Sequence, residues 1–253
     1  MLLAVDVGNT NVTFAVINEK GKILRKRKLP TCACLGRSLY KGKIIRHSRD
    51  LHTIIVVSVV PEALKNLKRY LKKRFKESRI ITVGEDVKIP LRCRYNKSEI
   101  GQDRLITAFA AKSLYGLPVL IIDFGTAVTF DAVSEKGVYA GGLILPGIKM
   151  SLDSLSERTA MLPRAYLRNT NSFIGRNTRT SIRNGIIYGY SSICEGLIKL
   201  FKKKFDRKIS VVATGGDAYL ISRYSASVRN VEPDLSLKGL YLLSRVLKLY
   251  HAT

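Results

Sequence analysis

Tryptophan is absent from the 253 residues, and cysteine (four), histidine (three) and methionine (three) are scarce. Cys32, Cys34, Cys93 and Cys194 form no C-x-x-C pair, and only His47, His52 and His251 could join them as ligands. A structural zinc site or redox dithiol is therefore not expected, and free thiols in a reducing compartment are. Long apolar runs are missing too. The longest, Ile54 to Val60, has seven residues with a serine inside it, far too short to span a bilayer. Met1 to Val5 meets Asp6 at once, which predicts neither a signal nor a transit peptide and makes the cytoplasm the expected compartment.

Acid is the other scarcity. Nineteen Asp and Glu face 44 Lys and Arg, and 44 − 19 leaves a net charge of +25. Residues 20–49 hold eleven basic residues and no acid, residues 65–79 hold eight, and Lys199 to Lys208 six. Such a surface attracts polyanions, whether nucleotide, nucleic acid or membrane. No basic run is interleaved with regularly spaced aromatics or lies in a nucleic-acid-binding motif, so a solvated basic exterior is the favoured reading and nucleic acid is not an expected partner. The rarity of acids makes each one beside a glycine more informative.

At 46% apolar and 25% charged, the chain is expected to fold, as one large domain or two modest ones at about 150 residues each. Leu2 to Val5 and Val12 to Ile17 read as strands around a polar turn, Asp6 to Asn11. A third strand, Lys22 to Lys28, follows the turn cluster Asn18 to Gly21. Residues 30–50 show weak periodicity and no clear element. Thr53 to Val60 is a buried strand ended by Pro61. From Glu62 to Lys76 the residues Leu64, Leu67, Leu71 and Phe75 share one helical face, and Ile80 to Val83 is a short strand. A helix runs from Gly101-Gln102-Asp103-Arg104 through Leu105 and Phe109 to Tyr115. Strands Val119 to Ile122 and Val128 to Val133 come next, then a helix Thr180 to Phe205, a strand Ile209 to Ala213 and a C-terminal helix from about Leu237 to Tyr250.

One pattern occurs twice. Asp6-Val-Gly-Asn-Thr-Asn-Val-Thr-Phe and Asp123-Phe-Gly-Thr-Ala-Val-Thr-Phe share D-x-G and then V-T-F, the second one residue shorter. Each follows an apolar strand and precedes another. This predicts two related α/β halves, 1–116 and 117–253, each setting an acidic, glycine-containing turn toward a shared cleft. Glycine lets the backbone come close to phosphate oxygens, and Asn9, Thr10, Asn11, Thr13 and Thr126 add neutral donors. The carboxylates of Asp6 and Asp123 would repel phosphate unless a hard cation lay between. Asp and Gly also simply make good turns; for either turn alone that explanation leads, for the pair the phosphate reading does. Neither a G-x-x-x-x-G-K-[ST] nor a G-x-G-x-x-G motif is present. Asp123-Phe124-Gly125 mimics the metal-binding triplet of protein kinases but has none of its companion motifs.

Asp6-Val-Gly-Asn-Thr-Asn, Ser58-Val-Val-Pro61, Gly101-Gln-Asp-Arg104 and Asp123-Phe-Gly-Thr-Ala127 occur in order. Gly141-Gly-Leu-Ile-Leu-Pro-Gly147, Ala160-Met-Leu-Pro163, Gly175-Arg-Asn-Thr178 and Thr214-Gly-Gly216 follow them. The series resembles the type III pantothenate kinases, members of the acetate and sugar kinase, Hsp70 and actin superfamily, nearly end to end. Two departures stand out: the basic segment 30–50 lacks the family's threonine- and acid-containing stretch, and Lys97 replaces a usual proline.

The resemblance implies two duplicated ribonuclease-H-like halves and ATP-dependent phosphorylation of pantothenate. It implies that Asp6, Val7, Gly8, Asn9, Thr10, Asn11, Val12 and Thr13 hold the ATP phosphates, Asp6 through Mg2+ and its waters. Thr126, Gly215 and Gly216 would also bind ATP, the glycines beside the purine. Asp123 would hold a monovalent cation, K+ or NH4+. Gly101, Gln102, Asp103 and Arg104, with Tyr95 and Thr178, would take pantothenate, and Asp103 would be the base. The family also implies a homodimer. On the residues alone, Asp103 reads first as a first-turn acid favoured by the helix dipole, ahead of a base, Arg104 as a surface charge, and Tyr95 and Thr178 as ordinary loop residues. The alternative is a non-catalytic, nucleic-acid-associated relative, since some family members are described as transcriptional activators. Intact Asp6, Asp103, Arg104 and Asp123 argue against it.

Overall fold

A computed structural model describes residues 1–32, 51–96, 99–205 and 208–249. Most of the weakly periodic segment 30–50, Lys97 and the end of the expected C-terminal helix at Tyr250 lie outside the described residues. The chain divides into two compact units, Met1–Leu91 with Asn96–Ala110 and Asp234–Thr253, and Arg92–Tyr95 with Ala111–Pro233.

The first unit is built on a five-stranded sheet. Its strands are β1 (Leu2–Val7), β2 (Asn11–Ile17), β3 (Ile23–Pro30), β4 (Thr53–Ser58) and β5 (Arg79–Thr82), in the order β3-β2-β1-β4-β5. β1, β2 and β3 are antiparallel neighbours, whereas β4 and β5 run parallel to β1. Leu2 to Val5 are buried on both faces, the apolar run expected of a central strand. β3 is the opposite. Arg25, Lys26, Arg27 and Lys28 on this edge strand are exposed, and charge on an edge opposes pairing with another chain. Part of the basic excess thus has a structural place. Helix α1 (Pro61–Arg74) starts with Pro61, buries Ala63, Leu64, Leu67 and Leu71, and ends on Lys72, Lys73 and Arg74, each choice fitting its position. Leu64, Leu67 and Leu71 pack with Leu3, Val5, Phe14 and Val56, and Phe75 lies against the same core.

Helix α2 (Gln102–Tyr115) carries the chain into the second unit. There β6 (Arg92–Cys93), β7 (Val119–Phe124), β8 (Ala127–Val133), β9 (Val138–Pro146), β10 (Ser210–Gly215) and β11 (Asn230–Val231) order as β11-β10-β7-β8-β9-β6. With β6 set aside, this is the first sheet's arrangement again: an antiparallel β7-β8-β9 run with β10 and β11 parallel to β7. Both units have the ribonuclease-H-like strand order that the resemblance implies. Helices α3 (Ile148–Glu157), α4 (Thr178–Lys204) and α5 (Ala218–Ser222) complete the unit. α4 starts two residues before the expected Thr180, because Asn177 accepts the Thr180 N–H and Thr180 reciprocates in a capping box.

The last helix, α6 (Leu235–Val246), belongs to the first unit and packs on β1 and β4. Contiguous halves split at 116/117 are the expectation from the repeat; the compact units are discontinuous, since a duplicated motif marks where each sheet begins and says nothing of where a terminal helix returns. β9 was not expected as a strand. Gly141 and Gly142 interrupt its pattern, yet a Cβ on Gly142 would lie 2.0 Å from the Phe130 carbonyl oxygen, so close pairing with β8 needs a glycine.

Candidate active site

In the first unit, β1 delivers Asp6 to the end of the sheet and the chain turns through Gly8, Asn9 and Thr10 into β2. The Gly8 N–H donates to the Asn11 carbonyl (3.0 Å). Buried Thr31 pins the turn from outside: its hydroxyl donates to the Gly8 carbonyl (2.6 Å) and its N–H to the Thr10 carbonyl (2.9 Å). Val7 and Val12 are buried while Asn9 and Thr10 are exposed, so the turn presents polar groups on a rigid base. Asn11 and Thr13 begin β2, where Thr13 sits between Asp6 and Lys28 in register.

Asp6 is half-buried, and its carboxyl is pushed up to about 6, chiefly by desolvation. The Ser236 hydroxyl donates to it and opposes the shift, the Asp103 carboxylate reinforces it, and Lys28 opposes it. The charges of two of the expected site acids therefore act on each other. Asp103 stands in the first turn of α2, where its Oδ1 accepts the Arg104 N–H (2.8 Å). A Cβ on Gly101 would lie 2.3 Å from that oxygen, so glycine is what lets the carboxylate fold over the helix start. Gln102 packs against Gly84, which has φ +92°.

In the second unit the Gly125 N–H donates to the Ala127 carbonyl (3.1 Å). Around this turn the walls are backbone. A Cβ on Gly147 would lie 2.0 Å from the Thr126 carbonyl oxygen, and one on Gly215 2.5 Å from the Phe124 carbonyl and 2.6 Å from an Asp123 carboxylate oxygen. Asp123, Thr126 and Gly215 are thus brought together, with Thr214 beside Asp123 in register. Gly216 faces open space. Tyr95 is exposed near Gly141, and Thr178 is the first residue of α4. Two hollows flank the start of α4: one of about 430 Å³ includes Phe173, Asn184 and Tyr188, the other, about 410 Å³, Arg164, Arg168, Arg179 and Arg183. Neither is lined by the acid-bearing turns.

Sequence reasoning missed Thr31, Ser236 and Gly147. Only Gly147 carried a signal, as the end of a glycine-rich motif given no role. Among the described residues no group of three or more His, Cys, Asp and Glu could hold a metal ion. Cys32, Cys93 and Cys194 are free thiols.

Two sheets of the same strand order, each ending its first strand in an acidic turn, define the class as the actin-like kinase and ATPase fold. Solved structures agree on that fold. One described as a Baf family transcriptional activator from Campylobacter jejuni matches with TM-score 0.61 at 21% identity, over 98% of this chain and 100% of that one. The activator of 2-hydroxyisocaproyl-CoA dehydratase from Clostridium difficile, with bound ADPNP, matches with TM-score 0.52 at 14% identity, over 100% and 98%. Sequence narrows the class to a family. The family model for type III pantothenate kinase matches residues 2–200. A type III pantothenate kinase from Bacillus cytotoxicus is 38% identical over 251 residues, covering 96% of this chain and 95% of that protein. The chain belongs to the type III pantothenate kinase family, and is a kinase.

Proposed function

We infer that the protein transfers the γ-phosphoryl group of ATP to the primary hydroxyl of pantothenate, giving 4′-phosphopantothenate, the first step of coenzyme A synthesis. Beside the family, the observation that carries this reading is the half-buried Asp6 carboxyl, pushed up to about 6 by desolvation and further by the charge of a second acid, Asp103. Such an arrangement calls for a cation. Mg2+ keeps several waters and is held by one or two carboxylates plus substrate phosphates, which fits Asp6 at the base of a turn rich in neutral donors. When bound, Mg2+ would offset phosphate charge.

The chain's own residues do the rest. The turn Asp6 to Thr13 receives the ATP phosphates, Thr126 contacts the nucleotide, and Gly215 and Gly216 offer flat backbone to the purine. Asp123, an oxygen ligand set close to the backbone of Gly125 and Gly215, suits K+ or NH4+, which prefer oxygen ligands. Gly101 to Arg104, Tyr95 and Thr178 take pantothenate, Arg104 meeting its carboxylate. Asp103 accepts the hydroxyl proton as the new bond forms. Phosphoryl transfer is mainly positioning and charge stabilisation, so one such carboxylate suffices. The working form is a homodimer.

A coupled ADP-release assay tests the reading. ADP release that depends on pantothenate and on K+ or NH4+ is expected. Absence of pantothenate-dependent release, together with steeply salt-dependent DNA binding, would favour the nucleic-acid-associated alternative. Full activity with Na+ as sole monovalent cation would remove the role given to Asp123.

A further inference from the structure

We propose that helix α6 is part of the catalytic assembly of the first unit, and that Ser236 is a positioning residue orienting the Asp6 carboxylate. The inference rests on the reading of Asp6 as the acid that holds magnesium. In sequence α6 looks like amphipathic cover, and it does bury Leu235, Leu237, Leu240 and Leu243. Yet half-buried Ser236, in its first turn, donates a hydrogen bond to Asp6.

One turn further, α6 meets the helix that bears the second acid. A Cβ on Gly239 would lie 2.7 Å from the Ile106 carbonyl oxygen, 3.0 Å from Ile106 Cγ1 and 3.2 Å from Ala110 Cβ. Ile106 lies three residues beyond Asp103 in α2. A single helix therefore touches Asp6 with one residue and packs directly on the Asp103 helix with the next turn.

The placement of α6 is itself fixed by the sheet. Lys26 Nζ lies 2.6 Å from Asp234 Oδ1 just before the helix. The Tyr241 hydroxyl donates to the Glu19 carbonyl (2.7 Å), and its ring lies 2.8 Å from where a Cβ on Gly21 would stand.

This arrangement answers a physical need. The terminal torsion of an aspartate is soft, and Asp103 repels the Asp6 carboxylate. A magnesium-bound water shell demands near-ideal geometry, so the carboxylate needs an outer partner to set its direction. A serine hydroxyl does so without neutralising the charge, as a lysine there would.

The test compares Ser236→Ala and Ser236→Thr with wild type and with Asp6→Asn. Mn2+ binding in the presence of ADP, followed by electron paramagnetic resonance, is read alongside steady-state kinetics. Ser236→Ala is expected to weaken Mn2+ binding about tenfold, as loss of an outer-shell partner does, with the KM for pantothenate unchanged, and Ser236→Thr to restore it. Equal weakening in both serine variants would overturn the proposal, because the loss would then follow from packing and not from the hydroxyl. Wild-type Mn2+ binding in Ser236→Ala, with binding abolished in Asp6→Asn, would overturn it while leaving the reading of Asp6 intact. Wild-type binding in Asp6→Asn would remove that reading, and the proposal with it.

Discussion

The strands flanking the turn after β1 and the turn after β7 match down to the burial of each residue. Both first strands bury every residue but the aspartate, both second strands alternate identically, and Asp6 pairs with Thr13 as Asp123 pairs with Thr129. What surrounds the turns differs. Asp6 is met by side chains: a second carboxylate, a lysine and a serine hydroxyl. The second turn is packed by glycines, Gly147 on the Thr126 carbonyl and Gly215 on the Phe124 carbonyl and the Asp123 carboxylate. The same strand–turn–strand unit carries interacting charged side chains in one half and is tightly packed by glycines in the other.

The sharpest break between the two lies in their glycines. Gly215 has φ +92° and no room for a methyl group, since a Cβ would sit 2.5 Å from the Phe124 backbone. Gly215→Ala combines backbone strain with a clash that no side-chain rotation relieves, and should cost about 3 kcal/mol or more in urea denaturation. Gly147→Ala should do the same through the Thr126 carbonyl. A wild-type midpoint in either variant would mean that the second turn is as adjustable as the first.

Next in size is Asp103→Asn. With Asp103 read as the base, its loss should lower kcat by at least about 10²-fold with nucleotide binding retained. Unchanged turnover would leave Asp103 as no more than a helix-start acid.

Asp6→Asn sharpens the electrostatic side of the contrast. The folded carboxyl titrates near 6, above its ordinary 3.8, so the unfolded chain gives up its proton first. The stabilising contribution is complete below about pH 4 and is lost as pH rises through 6. Without metal and nucleotide, Asp6→Asn should therefore be more stable than wild type by about 2 kcal/mol at pH 7.5 and gain little at pH 4. The denaturation midpoints at the two pH values check this. An equal gain at both would show that Asp6 is not a strained charge.

How much of this was legible follows from sequence distance. The turns are local, so D-x-G between apolar runs located Asp6 and Asp123. The leucines of α1 located a helix for the same reason. Ser236 lies 230 residues from Asp6 in the chain, and nothing in Leu-Ser-Leu-Lys-Gly marks a hydroxyl that must reach a carboxylate or a glycine that must touch Ile106. β9 stayed hidden because Gly142 serves close approach to β8 and Gly141 takes a left-handed φ of +104°, and the pair erases the alternation that strands display. Thr31, which ties down the first turn, sits in a stretch whose charges dominated its pattern.

Gly8→Ala is the smallest effect expected and the one that tests the comparison most directly. Gly8 holds the position in the first turn that Gly125 holds in the second, where close approach of phosphate favours glycine. A Cβ on Gly8, however, would meet only the Asn11 carbonyl oxygen, at 3.3 Å, a distance that a shift of a few tenths of an ångström relieves. Its φ is not in the left-handed region, so alanine brings no backbone strain. The cost in stability should stay below about 1 kcal/mol. The added methyl group still narrows the approach of a phosphate to the turn, so the KM for ATP should rise while the KM for pantothenate holds. A loss of stability matching that of Gly215→Ala would mean that the first turn is braced as rigidly as the second, and the contrast between a turn of interacting charged side chains and one packed by glycines would fail.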